Sequence, residues 1–269
     1  MNRIDSYEDL ADNIVRWLRD YYWMHSGNIK AFVVGVSGGI DSAVVSTLCA
    51  KTDLPTYVVR MPLLSKHSNT ELSDLHCKQL AEKYDNVTDV QIELSSVYDQ
   101  LMHNINWWSE AQHFEKGKFI TNELANANTK SRIRMVTLYQ IAGSVGGIVV
   151  GTGNKVEDYG IGFFTKYGDG AVDIAPIADL YKTEVWELGE YLEVDERICN
   201  AIPTDGLWDD DRKDEDQIGA SYAELEEAME HRRGPAVDIF EELNNKNQHK
   251  MSSIPTFTVC LPCLNKKSS

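Results

Sequence analysis

The chain has 269 residues, 42% hydrophobic and 25% charged, a balance that suits an ordinary globular protein able to bury a sizeable core in one domain. A formal net charge of −16 argues against broad nucleic-acid binding, and an anionic ligand would need a local positive site. No apolar run reaches the length of a bilayer span, the first residues lack an apolar signal segment, and the five cysteines are scattered as reduced thiols would be. The expectation is a cytoplasmic chain with no membrane partner.

In chain order, Ser6 reads as an N-cap followed by acids, and Leu10, Ile14, Val15 and Leu18 recur at helical spacing, so an amphipathic helix opens the chain. Residues 31–36 are short, apolar and β-branched, the composition of a strand buried on both faces, and similar runs follow at 56–61, 87–94 and 147–151. Helical stretches lie between them at 42–51, 69–84 and 122–144. This alternation predicts an α/β fold, an open doubly wound parallel sheet flanked by helices, with its binding crevice beyond the carboxyl ends of the strands. Residues 160–170 follow neither period and read as a long loop of the kind that serves as a lid. A helix is expected over 181–192, a mobile acidic stretch over 203–217, either a solvated loop or, over 204–217, a second lid, and a tail over 250–269. The tail holds Cys260 and Cys263, a C-x-x-C pair that supplies half of a zinc site at most.

The first strand ends in V-G-V-S-G-G-I-D-S, residues 34–42. A strand running through Ser37, Gly38 and Gly39 into a helix places unpaired backbone N–H groups at a helix N-terminus, where an anion is favoured. The glycines admit phosphate oxygens, the serines add hydroxyl donors, and Asp41 has the wrong charge for phosphate but the right one for Mg²⁺. A turn that merely wants glycine would explain the glycine pair, not the two serines and the Asp. Neither G-x-x-x-x-G-K-[ST] nor G-x-G-x-x-G fits the run.

Further along, Lys130, Arg132 and Arg134 crowd one and a half helical turns, either to grip an anion or to form a face of ion pairs. Glu157, beyond the strand at 147–151, is a second Mg²⁺ ligand or a first-turn acid on a helix dipole.

S-G-G-I-D-S resembles the pyrophosphate loop of the N-type ATP pyrophosphatases, the PP-loop superfamily, which cleave ATP between the α and β phosphates. N-T-K-S-R-I-R-M, V-V-G-T-x-x-x-x-E, G-F-F-T-K-Y-G-D-G, D-L-Y-K, A-I-P-T-D and H-K extend the likeness over about residues 5–260, and together they resemble the ammonia-dependent NAD synthetases. The resemblance implies an adenine nucleotide alpha hydrolase-like fold and ATP-dependent amidation of nicotinic acid adenine dinucleotide by ammonia. It implies that Gly35, Val36, Ser37, Gly38, Gly39, Ile40, Asp41, Ser42, Thr152, Lys182 and Thr204 bind ATP, and that Asp41 and Glu157 hold Mg²⁺. Arg132, Lys166, Asp173, His249 and Lys250 are then expected on the dinucleotide, with Phe163 packed on its pyridine ring. The stretch from Glu157 to Phe163 is one residue longer than in the family form it resembles.

A nicotinate carboxylate must be activated before ammonia displaces its oxygen, and an acyl adenylate does this. Lys182 and Asp41 are the expected catalytic groups on the phosphates, with Asp169 and Asp173 as candidates for taking the ammonia proton. The chain leaves no room for the glutaminase domain of glutamine-using relatives, so free ammonia is the expected donor, and the resemblance implies a homodimer. Tyr21, Tyr22 and Trp23 form an aromatic stretch that suits either a dimer contact or the core. The alternatives are another PP-loop enzyme, such as a tRNA-modifying enzyme or an amidotransferase synthetase subunit, or a nucleotide-binding module without catalysis. The acidic balance speaks against an RNA face, and the presence of Asp41, Glu157 and Lys182 together favours catalysis.

Overall fold

Among the described residues, four parallel strands, β1 (Ala31–Gly35), β2 (Thr56–Arg60), β3 (Val87–Gln91) and β4 (Gly147–Val150), form one sheet in the order β3-β2-β1-β4. The structure, a computed structural model, describes residues 3–25, 27–64, 67–111, 122–203 and 213–258, with the backbone alone at 67–69 and 108–111. The first helices are α1 (Tyr7–Met24), α2 (Ile40–Ala50), α3 (His67–Lys83), α4 (Ser95–Ala111) and α5 (Glu123–Val145). A π-helix, Lys155–Ile161, precedes α6 (Lys182–Tyr191), α7 (Glu196–Cys199), α8 (Asp214–Ile218), α9 (Tyr222–His231) and α10 (Val237–Met251).

Side chains of a strand alternate between faces, and β1 shows what that does for a doubly covered sheet. Phe32 and Val34 pack on one face with Leu18 of α1, Val44 and Leu48 of α2 and Leu188 of α6, while Val33 packs on the other with Val59, Val149 and Ala142 of α5. Each such fully buried side chain contributes about 1.5–3 kcal/mol of apolar transfer, so β1 is the best-anchored strand and a rigid mount for whatever follows it. Helix α1 starts where its sequence says, with the Ser6 hydroxyl accepting from Asp9 N at 3.2 Å. At the far side of the sheet, Arg60 holds β2 to β3 and α3 by bonding Asp89, Asp74 and Gln91.

A second cluster stands apart from the sheet: Val156 and Ile161 of the π-helix, Ile218 of α8, Tyr222 and Leu225 of α9 and Phe240 of α10. The sequence reading anticipated neither this unit nor α4. Helix α10 buries only Phe240 fully and is polar on most of its surface, so its hydrophobic period is weak. Part of the expected acidic loop is α8, whose Asp214 is buried. The expected loop at 160–170 begins inside the π-helix, and the expected tail begins inside α10, which runs to Met251.

Candidate active site

From β1 the chain moves to β2 on one side, and β4 joins β1 on the other, so the carboxyl ends of β1 and β4 flank a topological switch point. A cleft of about 340 Å³ opens there, lined by every residue of 35–42 and by Thr152, Glu157, Phe163, Asp169 and Lys182. The volume lies at the lower end of the usual range for small-molecule sites.

The 35–42 loop is closed on itself. Ser42 Oγ donates to Gly39 O at 2.9 Å and accepts from Ser37 N at 3.2 Å, and Ser37 Oγ accepts from Gly39 N at 3.2 Å. The two hydroxyls meet at 3.1 Å. Gly38 has φ 92°, a left-handed conformation that a side chain would strain. The serines thus brace the loop, and α2 begins at its end, directing its positive dipole end into the cleft. Behind α2, buried His76 of α3 bonds Ser46 Oγ through Nε2 at 2.9 Å, and burial pushes its titration down to about 4.

At the floor of the cleft, Lys182 Nζ lies 2.5 Å from Asp41 Oδ2 and 2.9 Å from Glu157 Oε1. Lys182 is buried, and the charges of the two acids more than offset the effect of burial on its ammonium, which holds its proton more tightly than usual. Burial raises the Asp41 carboxyl, whereas Lys182 and the Tyr222 hydroxyl outweigh burial at Glu157 and hold it below the ordinary range. Asn154 joins the two acids: Oδ1 accepts from Val156 N and Glu157 N at the start of the π-helix, and Nδ2 donates to Asp41 Oδ1 at 3.1 Å. Tyr222 OH donates to Glu157 Oε1 at 2.6 Å. The two carboxylates converge on one cation, the donor chemistry that a hard divalent ion shared with phosphates requires. Among the described residues no three His, Cys, Asp or Glu side chains form a self-sufficient metal cage.

Glu157 and Asp158 lie in the first turn of the π-helix, whose turn uses one residue more than an α-turn; Gly162 N bonds back to Glu157 O and closes it. Asp158 lines the cleft from this turn, and burial together with Asp169, Glu157 and Asp41 keeps its carboxyl well above the usual range. Gly153 leaves room for it, since a Cβ there would lie 1.9 Å from Asp158 Oδ2.

The remaining expected residues divide. Asp169 reaches the cleft, its Oδ1 accepting from Ser131 Oγ at 2.6 Å and Thr165 N at 3.1 Å. Asp173 does not line it: its carboxylate accepts from Val149 N at 2.7 Å and Tyr139 OH at 3.1 Å, tying the following segment to β4. Arg132, Lys166, His249 and Lys250 gather around the 163–170 segment beside the cleft. Arg132 donates to Lys166 O, Lys166 Nζ to His249 O at 2.7 Å, and Lys250 Nζ to Phe164 O at 2.8 Å. Of the basic trio on α5, Lys130 turns to the Tyr98 ring and Arg134 lines the cleft, bonding Met61 O at 3.3 Å. Thr204 lies outside the described residues. Asn154, Asp158 and Tyr222 were not assigned to the site from sequence, and Arg134 only as one of the basic trio, although N-x-x-E at 154–157 is a legible capping pattern.

A family model described as NAD synthase matches residues 10–257. The chain belongs to this family. It is 36% identical over 248 residues to the NH(3)-dependent NAD(+) synthetase of Carboxydothermus hydrogenoformans, covering 91% of this chain and 95% of that protein. Among solved structures it is similar to the NMN synthetase from Francisella tularensis, with a TM-score of 0.82 and 31% identity over 95% of this chain and all of that one. It is also similar to the NH3-dependent NAD synthetase from Campylobacter jejuni, with a TM-score of 0.69 and 25% identity over 94% of this chain. The activity is accordingly that of an ammonia-dependent NAD synthetase, a ligase. No described helix is long and apolar enough to cross a membrane.

Proposed function

We propose that the chain amidates its substrate through an acyl adenylate formed in the cleft between β1 and β4. The observation that carries this reading is the convergence of Asp41, Glu157 and Lys182 on the floor of a cleft whose rim is a phosphate-sized loop at a helix N-terminus. ATP is held by residues 35–42 together with Thr152, Lys182 and Thr204. Asp41 and Glu157 hold Mg²⁺, which when bound neutralises charge on the phosphates. Arg132, Phe163, Lys166, His249 and Lys250 receive the dinucleotide, and the cations among them suit its anionic groups because each is directed onto a backbone carbonyl, which a phosphate or carboxylate readily outcompetes. Asp173 acts here through β4, by fixing the segment that carries Asp169.

A nicotinate oxygen attacks the α-phosphorus, the bond to the β-phosphate breaks, and pyrophosphate leaves. Lys182 and the loop amides stabilise the charge that develops on the phosphates. Ammonia nitrogen then attacks the acyl carbon, the carbon–oxygen bond to AMP breaks, and the proton passes to a carboxylate. Asp169 is the better placed of the two candidates, since it faces the cleft. The 163–170 segment keeps water from the mixed anhydride.

Exposed apolar side chains on α4 and α5, Val97, Leu101, Trp107, Leu124 and Val136, supply the face of a homodimer. Tyr21 and Tyr22 instead pack against the sheet core, leaving Trp23 exposed. Sedimentation of Val136→Glu should give monomer; a dimer unchanged from wild type contradicts that face. Among the described residues, Cys49, Cys77 and Cys199 are free thiols, which accords with a reducing cytoplasm.

The test is product analysis with ATP, Mg²⁺, ammonium and nicotinic acid adenine dinucleotide, which should yield AMP, pyrophosphate and NAD in equal amounts. ADP and phosphate would overturn the reading. The higher TM-score with the NMN synthetase favours a second reading, that the mononucleotide carrying the same carboxylate is amidated as well. Parallel kcat/KM measurements on the two substrates decide it, and no turnover of the mononucleotide refutes it.

A further inference from the structure

Tyr222 touches both halves of the charged floor. Its hydroxyl donates to Glu157 Oε1 at 2.6 Å, onto the same oxygen that accepts from Lys182 Nζ at 2.9 Å. Its ring lies beneath the Lys182 ammonium, 5.1 Å from the ring centroid, and meets Trp186 edge-on at 5.7 Å. The side chain is 1% exposed and is delivered by the first turn of α9, from the second cluster rather than from the sheet. Asp214 Oδ2, at 3.5 Å, is too far to compete for the phenolic proton, which therefore belongs to Glu157.

We propose that Tyr222 is a positioning residue that fixes the Glu157 carboxylate for the divalent cation accompanying ATP; this rests on the assignment of Asp41 and Glu157 as metal ligands. The physical need is specific. Glu157 is a flexible side chain whose other strong partner, Lys182, is itself required by the phosphates. If Lys182 alone held the carboxylate, the arrival of ATP would release it when the metal needs it in place. A neutral donor from a separate element keeps hold of Oε1 after the ammonium turns away and adds no positive charge to repel the metal.

Tyr222→Phe keeps the ring, the Trp186 contact and the surface under Lys182 while removing only the hydroxyl. With a non-cleavable α,β-methylene analogue of ATP bound, manganese(II) affinity read by electron paramagnetic resonance should fall about tenfold, the lower end for loss of an outer-shell partner. Affinity for the analogue without metal and the thermal midpoint should stay near wild type, which a merely structural role would not predict. In a Glu157→Gln background, Tyr222→Phe should have no further effect on manganese(II), because both changes act through one carboxylate. Manganese(II) affinity unchanged in Tyr222→Phe but lost in Glu157→Gln would overturn the proposal alone. Affinity unchanged in both would overturn the metal assignment and the proposal with it. Additive losses in the double variant would show that Tyr222 acts elsewhere and would also overturn it.

Discussion

The two walls of the cleft are built differently. One wall is the 35–42 loop, consecutive residues whose shape is set by backbone conformation, two serines and the start of α2. The other is assembled from the π-helix, α6, α9 and the 163–170 segment, joined by side-chain bonds such as Tyr222 to Glu157, 65 residues apart, and Lys182 to Glu157, 25 apart. The first wall requires only local geometry to form; the second requires the whole fold. The chemistry needs both, since the loop supplies phosphate-binding amides while the opposing wall supplies Lys182 and Glu157.

The strongest test of their interdependence is Asp41, the one acid of the first wall that reaches across to the second. Asp41→Asn should lower turnover by about a thousandfold, on the scale of losing a major transition-state contact, while circular dichroism stays native. Turnover within tenfold of wild type would mean that the walls do not cooperate through this acid.

The first wall also depends on what stands behind it. His76 titrates at about 4 in the fold against 6.5 when unfolded, a depressed value, so the stability it confers is complete above 6.5 and is lost as pH falls from there through 4. The loss amounts to about 3 kcal/mol at most, and His76→Gln should abolish that part of the acid sensitivity in urea unfolding compared across this window. Identical pH profiles for the two proteins would refute it.

Gly38→Ala probes the loop backbone alone. With φ at 92°, a Cβ should cost about 1–2 kcal/mol and weaken ATP binding, while the dinucleotide KM changes little. An unchanged thermal midpoint would contradict the strain. On the opposite wall, Lys250→Ala should raise the dinucleotide KM about tenfold, the equivalent of one charge-assisted hydrogen bond, and leave the ATP KM alone. A shift in the ATP KM instead would place Lys250 on the wrong substrate.

The same division explains what could be read from the sequence. The strands, α2, α5 and the phosphate loop were legible because strand composition, period and S-G-G-I-D-S are local signals. Asn154 and Glu157 were legible as a helix start, but the bond from Asn154 to Asp41 was not, because no spacing connects residues 113 apart. Ser221 and Glu224 announce a capping box; nothing in that pattern says that the tyrosine between them reaches Glu157. Asp173 shows the converse, a residue expected on the substrate whose carboxylate is engaged by Val149 N and Tyr139. Resemblance located the residue, and only the fold showed which way its oxygens point.

The central claim is that the nicotinate carboxylate itself attacks the α-phosphorus. Substrate carrying isotopically heavy oxygen in that carboxylate, turned over with ATP and ammonia, tests it by mass spectrometry of the products. The account predicts a single heavy oxygen in AMP, unlabelled pyrophosphate and the second heavy oxygen retained in the amide of NAD. Unlabelled AMP, or label in pyrophosphate or inorganic phosphate, would contradict it.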